Sequence, residues 1–201
     1  DCMMVKCNKE GIENATKIIS EGGVIIFPTD TVYGIGCDPY NKDSVAKIYQ
    51  IKKRPKEKPF PILAYSIDTV NQIAEFDEDS KKIAEKFWPG PLTLILKLKD
   101  EKLKAVLEVP EKIAIRVPDN QCLLDILKNS KFLIGTSANY SGEGSFTKSK
   151  ECSEKIKEYD VFVDGGDIQS KGESTIAEIN EGQLVIHREG ALKKEEITRF
   201  F

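Results

Sequence analysis

The sequence predicts a mixed α/β fold, a twisted sheet of parallel and antiparallel strands with helices packed on it. Three observations carry this expectation. Short apolar runs such as Val24-Ile25-Ile26-Phe27, ended by Pro28, read as strands buried on both faces. They alternate with amphipathic helical stretches but never settle into a regular strand–helix–strand repeat. Near the end, residues 175–179 and 184–187 flank Asn180-Glu181-Gly182 and read as a hairpin, which requires an antiparallel pair.

Residues 11–21 carry Ile12, Ala15, Ile18 and Ile19 on one helical face, and Gly22-Gly23 stops that helix. Residues 41–52 form a second helix with Val45, Ile48 and Tyr49 inward and Asn41 or Asp43 as its cap. A short strand follows at 61–65. Two helices at 68–76 and 79–87 each open on an acidic cap, and Trp88-Pro89-Gly90-Pro91 breaks the second. Strands are expected at 92–98, 113–117, 132–134 and 161–163, and helices at 121–128, 148–158 and 192–200. No repeat, low-complexity tract or linker divides the chain, so residues 1–201 are expected to form one domain.

Composition narrows the function classes. A formal charge of −3 is unlike the basic field of a general nucleic-acid binder, so any anion site must be a local concentration of positive charge. No apolar run approaches the roughly 20 residues that cross a bilayer, and the first residues have no apolar signal core. A cytoplasmic location is the expectation. The five cysteines (Cys2, Cys7, Cys37, Cys122, Cys152) are scattered, with one histidine, His187, beside them. That pattern disfavours a zinc site, and the cysteines are expected to be free thiols.

Four polar segments concentrate chemistry-bearing residues, and each also has a plain structural reading. Pro28-Thr29-Asp30-Thr31-Val32-Tyr33-Gly34-Ile35-Gly36 places hydroxyls and a carboxylate at the end of a buried strand, where a ligand or a simple turn is served equally well. Residues 52–59, Lys52-Lys53-Arg54-Pro55-Lys56-Glu57-Lys58-Pro59, are cationic at five of eight positions. They suit phosphate, or form a solvated basic loop. Residues 134–145 are dense in Gly, Ser and Asn without a Walker signature, so they form an anion-binding nest or a polar surface loop. Ser174, Thr175 and Arg188 lie on the two arms of the hairpin, as an anion site or a cross-strand pair. There is no nucleophile elbow, and any Ser-His or Cys-His pair would have to use His187.

Taken in order, the segments resemble the YrdC family of threonylcarbamoyl-AMP synthases. The matching stretches are PTDTVYG at 28–34, KKRPKEKP at 52–59, WPGPLTLIL at 88–96, IAIRVP at 113–118, TSANYSG at 136–142, and STIAEI with HREG within 174–190. The resemblance runs from about residue 22 to 190 and implies a YrdC-like sheet around a large concave cleft. It implies that L-threonine, bicarbonate and ATP, with Mg²⁺ on the phosphates, are converted to threonylcarbamoyl-adenylate and pyrophosphate. A downstream threonylcarbamoyl transferase complex, and a contact with tRNA, are the implied partners.

The family's catalytic tetrad falls on Lys52, Arg54, Ser137 and Asn139. Its ATP-binding positions fall on Arg54, Lys58, Lys112, Ser137, Ser145 and Arg188, and its threonine-binding positions on Thr31, Arg116, Gly135 and Ser174. Leu63 stands where long relatives often carry a His, and the second domain of those relatives does not fit within this length. The rival reading from another class is a non-catalytic or weakly active paralogue that holds RNA or nucleotide in the basic cleft.

Overall fold

The computed structural model describes residues 3–55, 59–109 and 111–200. The chain opens with β1 (Met3–Lys6), α1 (Lys9–Ser20), β2 (Ile25–Phe27), β3 (Gly34–Gly36) and α2 (Lys42–Lys52). It continues through β4 (Ile62–Ala64), α3 (Ile67–Ile73), β5 (Ala74–Glu75), α4 (Glu78–Phe87), β6 (Leu92–Leu98), α5 (Glu101–Leu107) and β7 (Lys112–Arg116). The last part holds α6 (Gln121–Ser130), β8 (Phe132–Ile134), β9 (Thr136–Ser137), α7 (Ser149–Lys155), β10 (Val161–Asp164), β11 (Thr175–Asn180), β12 (Gln183–Arg188) and α8 (Lys194–Thr198).

The strands form two sheets where a single one was expected. One has the order β1-β10-β2-β3-β9; the other runs β12-β11-β6-β7-β4-β8, with β5 paired to the far end of β6. Both mix parallel and antiparallel pairs, as the sequence pattern required. The sheets approach where β3 passes β8: Ile134 N donates to Cys37 O at 2.9 Å. Gly36 permits this crossing, because a Cβ there would stand within covalent range of the Ile134 carbonyl oxygen.

Strand β2 shows why a continuous apolar run was needed. Ile26 packs into the main core shared by both sheets, while Ile25 and Phe27 face a second core under α1 and α6. All three are fully buried. Helix α1 contributes Ala15 and Ile19 to that second core, and α6 contributes Leu123, Ile126 and Leu127, the faces their helical spacing predicts.

Asn41 caps α2, accepting from Ser44 N, so Asn41 rather than Asp43 takes that role. Asp77 caps α4 in a reciprocal capping box with Ser80, two residues before the acidic residue the sequence suggested. Ser66, not Asp68, caps α3, and that helix stops at Ile73 because residues 74–75 join the sheet as β5. The helices at 148–158 and 192–200 are shorter than expected. Strands β1, β3, β5 and β9 and helix α5 were not foreseen; most are too short to show a period, and β3 is built on glycines.

The free-thiol expectation is corrected for one pair: Cys7 and Cys122 form a disulfide. Cys37 and Cys152 are buried free thiols, and Cys2 lies outside the described residues. Cys7 immediately precedes α1 and Cys122 lies in the first turn of α6, so the bond ties together the two helices that cover the second core. Scattered spacing could not reveal this pairing, because the contact is made by helix packing.

The bridge links residues 115 positions apart. Replacing both cysteines by serine, or reducing the bond, is expected to lower unfolding free energy by about 2–4 kcal/mol. Denaturant titrations of oxidised and reduced protein, with the double variant as reference, check this.

Candidate active site

The site is organised around a buried ammonium. Lys52 ends α2, and its side chain turns inward with only 3% of the residue exposed. Its Nζ donates to the Ser137 carbonyl, to the Asn139 carbonyl at 3.0 Å and to Asn139 Oδ1 at 2.8 Å. An ammonium has three N–H bonds, and here each finds an acceptor on one loop. Asn139 Oδ1 also accepts from Ser137 Oγ at 2.7 Å, and Ser141 N donates to the Lys52 carbonyl at 2.8 Å. Lys52 therefore has no N–H left for a phosphate oxygen; it sets the shape of the 137–141 loop. Burial, with Arg54 adding to it, pushes the ammonium down to about 8, and Glu173 opposes the shift.

Lys53 takes the left-handed conformation at φ 57° and closes α2, with Arg54 N returning to Tyr49 O at 3.1 Å. This reversal sends Lys52 into the protein and Arg54 into the cleft. The Arg54 guanidinium lies over the Phe60 ring at 5.0 Å and donates to Pro59 O at 3.1 Å. Partial burial lowers its pKa, and a guanidinium stays charged regardless.

Elsewhere on the cleft lining, a bulge sets Arg188. Ile176 pairs with Arg188 but Ala177 pairs with Ile186, so His187 is the extra residue of β12. The bulge brings Arg188 back to the cleft side, where Nε and Nη2 both donate to Ser174 O, at 3.0 and 2.8 Å. Nη2 also reaches Ser174 Oγ at 3.1 Å, and that hydroxyl lies 2.8 Å from Thr93 Oγ1 on β6. Glu173 stands 3.8 Å from Arg188 Nη1.

The third group surrounds Arg116 at the end of β7. Thr29 Oγ1 accepts from Thr31 N and Val32 N and donates to Val32 O, a side-chain turn that fixes the loop after β2. Thr31 Oγ1 then accepts from Arg116 Nη2 at 3.3 Å, and Asp30 Oδ1 accepts from Arg116 Nη1 at 2.5 Å.

These groups line one cleft of about 260 Å³. Of the residues predicted from sequence, Thr31, Arg54, Arg116, Gly135, Ser137, Ser174 and Arg188 line it together. Gly135 packs closely: a Cβ there would stand 2.3 Å from Leu63 Cδ1, so a larger residue would have to displace that side chain. Lys52 and Asn139 support the wall from behind. Ser145 is half-buried in the neighbouring loop, outside the residues that line the cleft, and Lys58 lies outside the described residues.

Lys112 also lies outside the lining and pairs with Glu178 at 2.6 Å. Burial pushes the Glu178 carboxyl up, but hydrogen bonds from Lys112 and His187 outweigh it and hold the group below the usual carboxylate range. Sequence reasoning missed Thr93 and Glu173. A lone hydroxyl in the apolar run LTLIL was the available signal for Thr93; Glu173 had none beyond its place next to Ser174.

Residues 17–190 match the family model Sua5_yciO_yrdC, described as "Telomere recombination". The chain belongs to this family. The threonylcarbamoyl-AMP synthase of Pyrococcus abyssi is 32% identical over 191 residues, covering 94% of this chain and 56% of the relative. A putative threonylcarbamoyl-AMP synthase of Methanocaldococcus jannaschii is 34% identical over 192 residues, covering 95% of this chain and 91% of that protein. The crystal structure of P. abyssi Sua5 complexed with L-threonine superimposes with a TM-score of 0.92 at 31% identity, covering all of this chain and 60% of that one. The chain thus spans little more than half the length of the P. abyssi proteins it matches. Its Sua5/YrdC fold agrees with the mixed α/β expectation, including the concave cleft.

The Lys52 hub makes a prediction about any nucleotide held by this loop. Replacing Lys52 by Met is expected to weaken binding of a non-hydrolysable ATP analogue by on the order of ten-fold or more, as several buried acceptors lose their donor. Because the protonated amine makes the contacts, affinity in the unsubstituted protein should fall as pH rises through about 8. Titrations from about pH 7 to about pH 9.5 should show that step, and Lys52→Met should lack it.

Proposed function

We propose that the protein is an L-threonylcarbamoyladenylate synthase, combining L-threonine, bicarbonate and ATP into threonylcarbamoyl-AMP and pyrophosphate for tRNA modification. One observation carries the reading: Arg116 with Thr31, and Arg188 with Ser174, line the same cleft as Arg54 and Ser137, so carboxylate-suited and phosphate-suited donors share one space. The likeness to a P. abyssi relative complexed with L-threonine supports it.

In this reading the threonine amine and bicarbonate give a carbamate, with loss of water. A carbamate oxygen attacks the α-phosphorus, the bond to the β-phosphate oxygen breaks, and pyrophosphate leaves. No side chain need become covalently attached. The protein's contribution is alignment of the carbamate with phosphorus and stabilisation of charge on the phosphoryl oxygens.

Arg54 and Arg188 supply cationic donors to the same cleft, Ser137 adds a hydroxyl oriented by Asn139, and Arg116 takes the substrate carboxylate. Lys58, Lys112 and Ser145 join the nucleotide contacts in this proposal. ATP enters as its Mg²⁺ complex, the metal travelling with the substrate. The product passes to a transferase that modifies tRNA, in the cytoplasm.

Purified protein with Mg-ATP should release pyrophosphate only when both L-threonine and bicarbonate are present. Arg54→Ala should lower that rate by on the order of 10²–10³-fold with the fold retained by circular dichroism. Pyrophosphate release indifferent to threonine, or none from folded protein, would shift the reading to a nucleotide- or RNA-holding paralogue.

A further inference from the structure

We propose that Asp30 is a positioning residue for the amino-acid substrate: its carboxylate fixes the Arg116 guanidinium so that one edge remains free for the substrate carboxylate. The inference rests on the synthase reading above and adds a residue that does not line the cleft.

A guanidinium carries five N–H donors in a rigid plane. On Arg116 the two N–H bonds of Nη1 are taken by Asp30 Oδ1 at 2.5 Å and Gly90 O at 3.1 Å. One N–H of Nη2 goes to Thr31 Oγ1 at 3.3 Å. Nε and the second N–H of Nη2 have no protein acceptor among the described residues. Nε and Nη2 share one edge of the guanidinium, the edge that suits a bidentate carboxylate. Asp30 and Gly90 hold Nη1, the corner of the plane opposite that edge.

Burial makes the arrangement selective. The side chains of Arg116 and Asp30 are 6% and 13% exposed. Arg116 and Thr31 line the cleft, whereas Asp30 sits behind them. Asp30 Oδ2 is buried and has no hydrogen-bond partner among the described residues. The other oxygen, Oδ1, supplies the counter-charge of the buried Arg116, and a pair this enclosed holds the guanidinium in one orientation. Among the described residues the one ion pair of Asp30 is with Arg116, and its effect runs through that residue.

Two effects oppose each other when Asp30 is removed. Loss of a negative charge beside Arg116 would by itself tighten binding of an anion, while loss of orientation would weaken it. The buried, multiply bonded geometry makes orientation the larger effect. Titrating L-threonine and, separately, a non-hydrolysable ATP analogue into the full chain tests this. Asp30→Ala should weaken L-threonine binding by roughly ten-fold or more and leave analogue binding within about two-fold. Asp30→Asn, whose Oδ1 still accepts from Nη1, should recover most of the threonine affinity.

Threonine binding that is unchanged or tighter in Asp30→Ala overturns the role, as does an equal loss of both ligands. So does an Asn variant no better than Ala. Unsubstituted protein that binds no L-threonine overturns the synthase reading, and this inference falls with it. Unsubstituted protein and Asp30 variants that bind threonine equally overturn this inference alone.

Discussion

The cleft depends on the buried ammonium of Lys52. A charge so far from water is tolerated only where its donors are matched, and here three acceptors on one loop meet three N–H bonds. The contact joins the end of α2 to a loop 85–87 residues away in sequence. It orients Asn139, which orients the Ser137 hydroxyl. It also gives Lys53 its left-handed turn a purpose: one residue goes inward to build the wall and the next but one, Arg54, goes outward into the cleft.

The other walls follow the same logic of obligatory donors and acceptors. Tyr33 is fully buried and stacks on Phe162 at 5.4 Å. Its backbone takes Ala138 N and gives its own N–H to Phe146 O, so the loop bearing Ser137 is pinned to the strand after the threonine-rich turn. Thr175, also fully buried, accepts from Gly190 N and Leu192 N and donates to Leu192 O, which fixes the chain just beyond Arg188. Side chains that appear in the motif as decoration are therefore the fixings for the cationic groups. Few of them touch the cleft space itself.

The cations have distinct duties set by their surroundings. Lys52 is spent on structure. Arg116 is anchored at one end and open at the other. Arg54 and Arg188 rest against a ring and a carbonyl, with guanidinium surface toward the cleft. A chain with a formal charge of −3 thus concentrates positive charge in one concavity.

The sequence by itself determined the element types that carry clear periods: the strand at 25–27, the helix ending at Lys52, strand β6 at its full extent and the hairpin at 175–188. It also determined, through ordered motifs, seven residues that meet at the cleft. Those features are legible because period, turn chemistry and residue type are local. Only the tertiary structure decided the split into two sheets, the Cys7–Cys122 bridge and the bulge that aims Arg188. It alone decided that Lys52 faces carbonyls rather than the cleft, and that Asp30 stands behind Arg116. Each of these is a contact between segments distant in the chain, and the partner of a donor or a thiol is set by packing that no local pattern encodes.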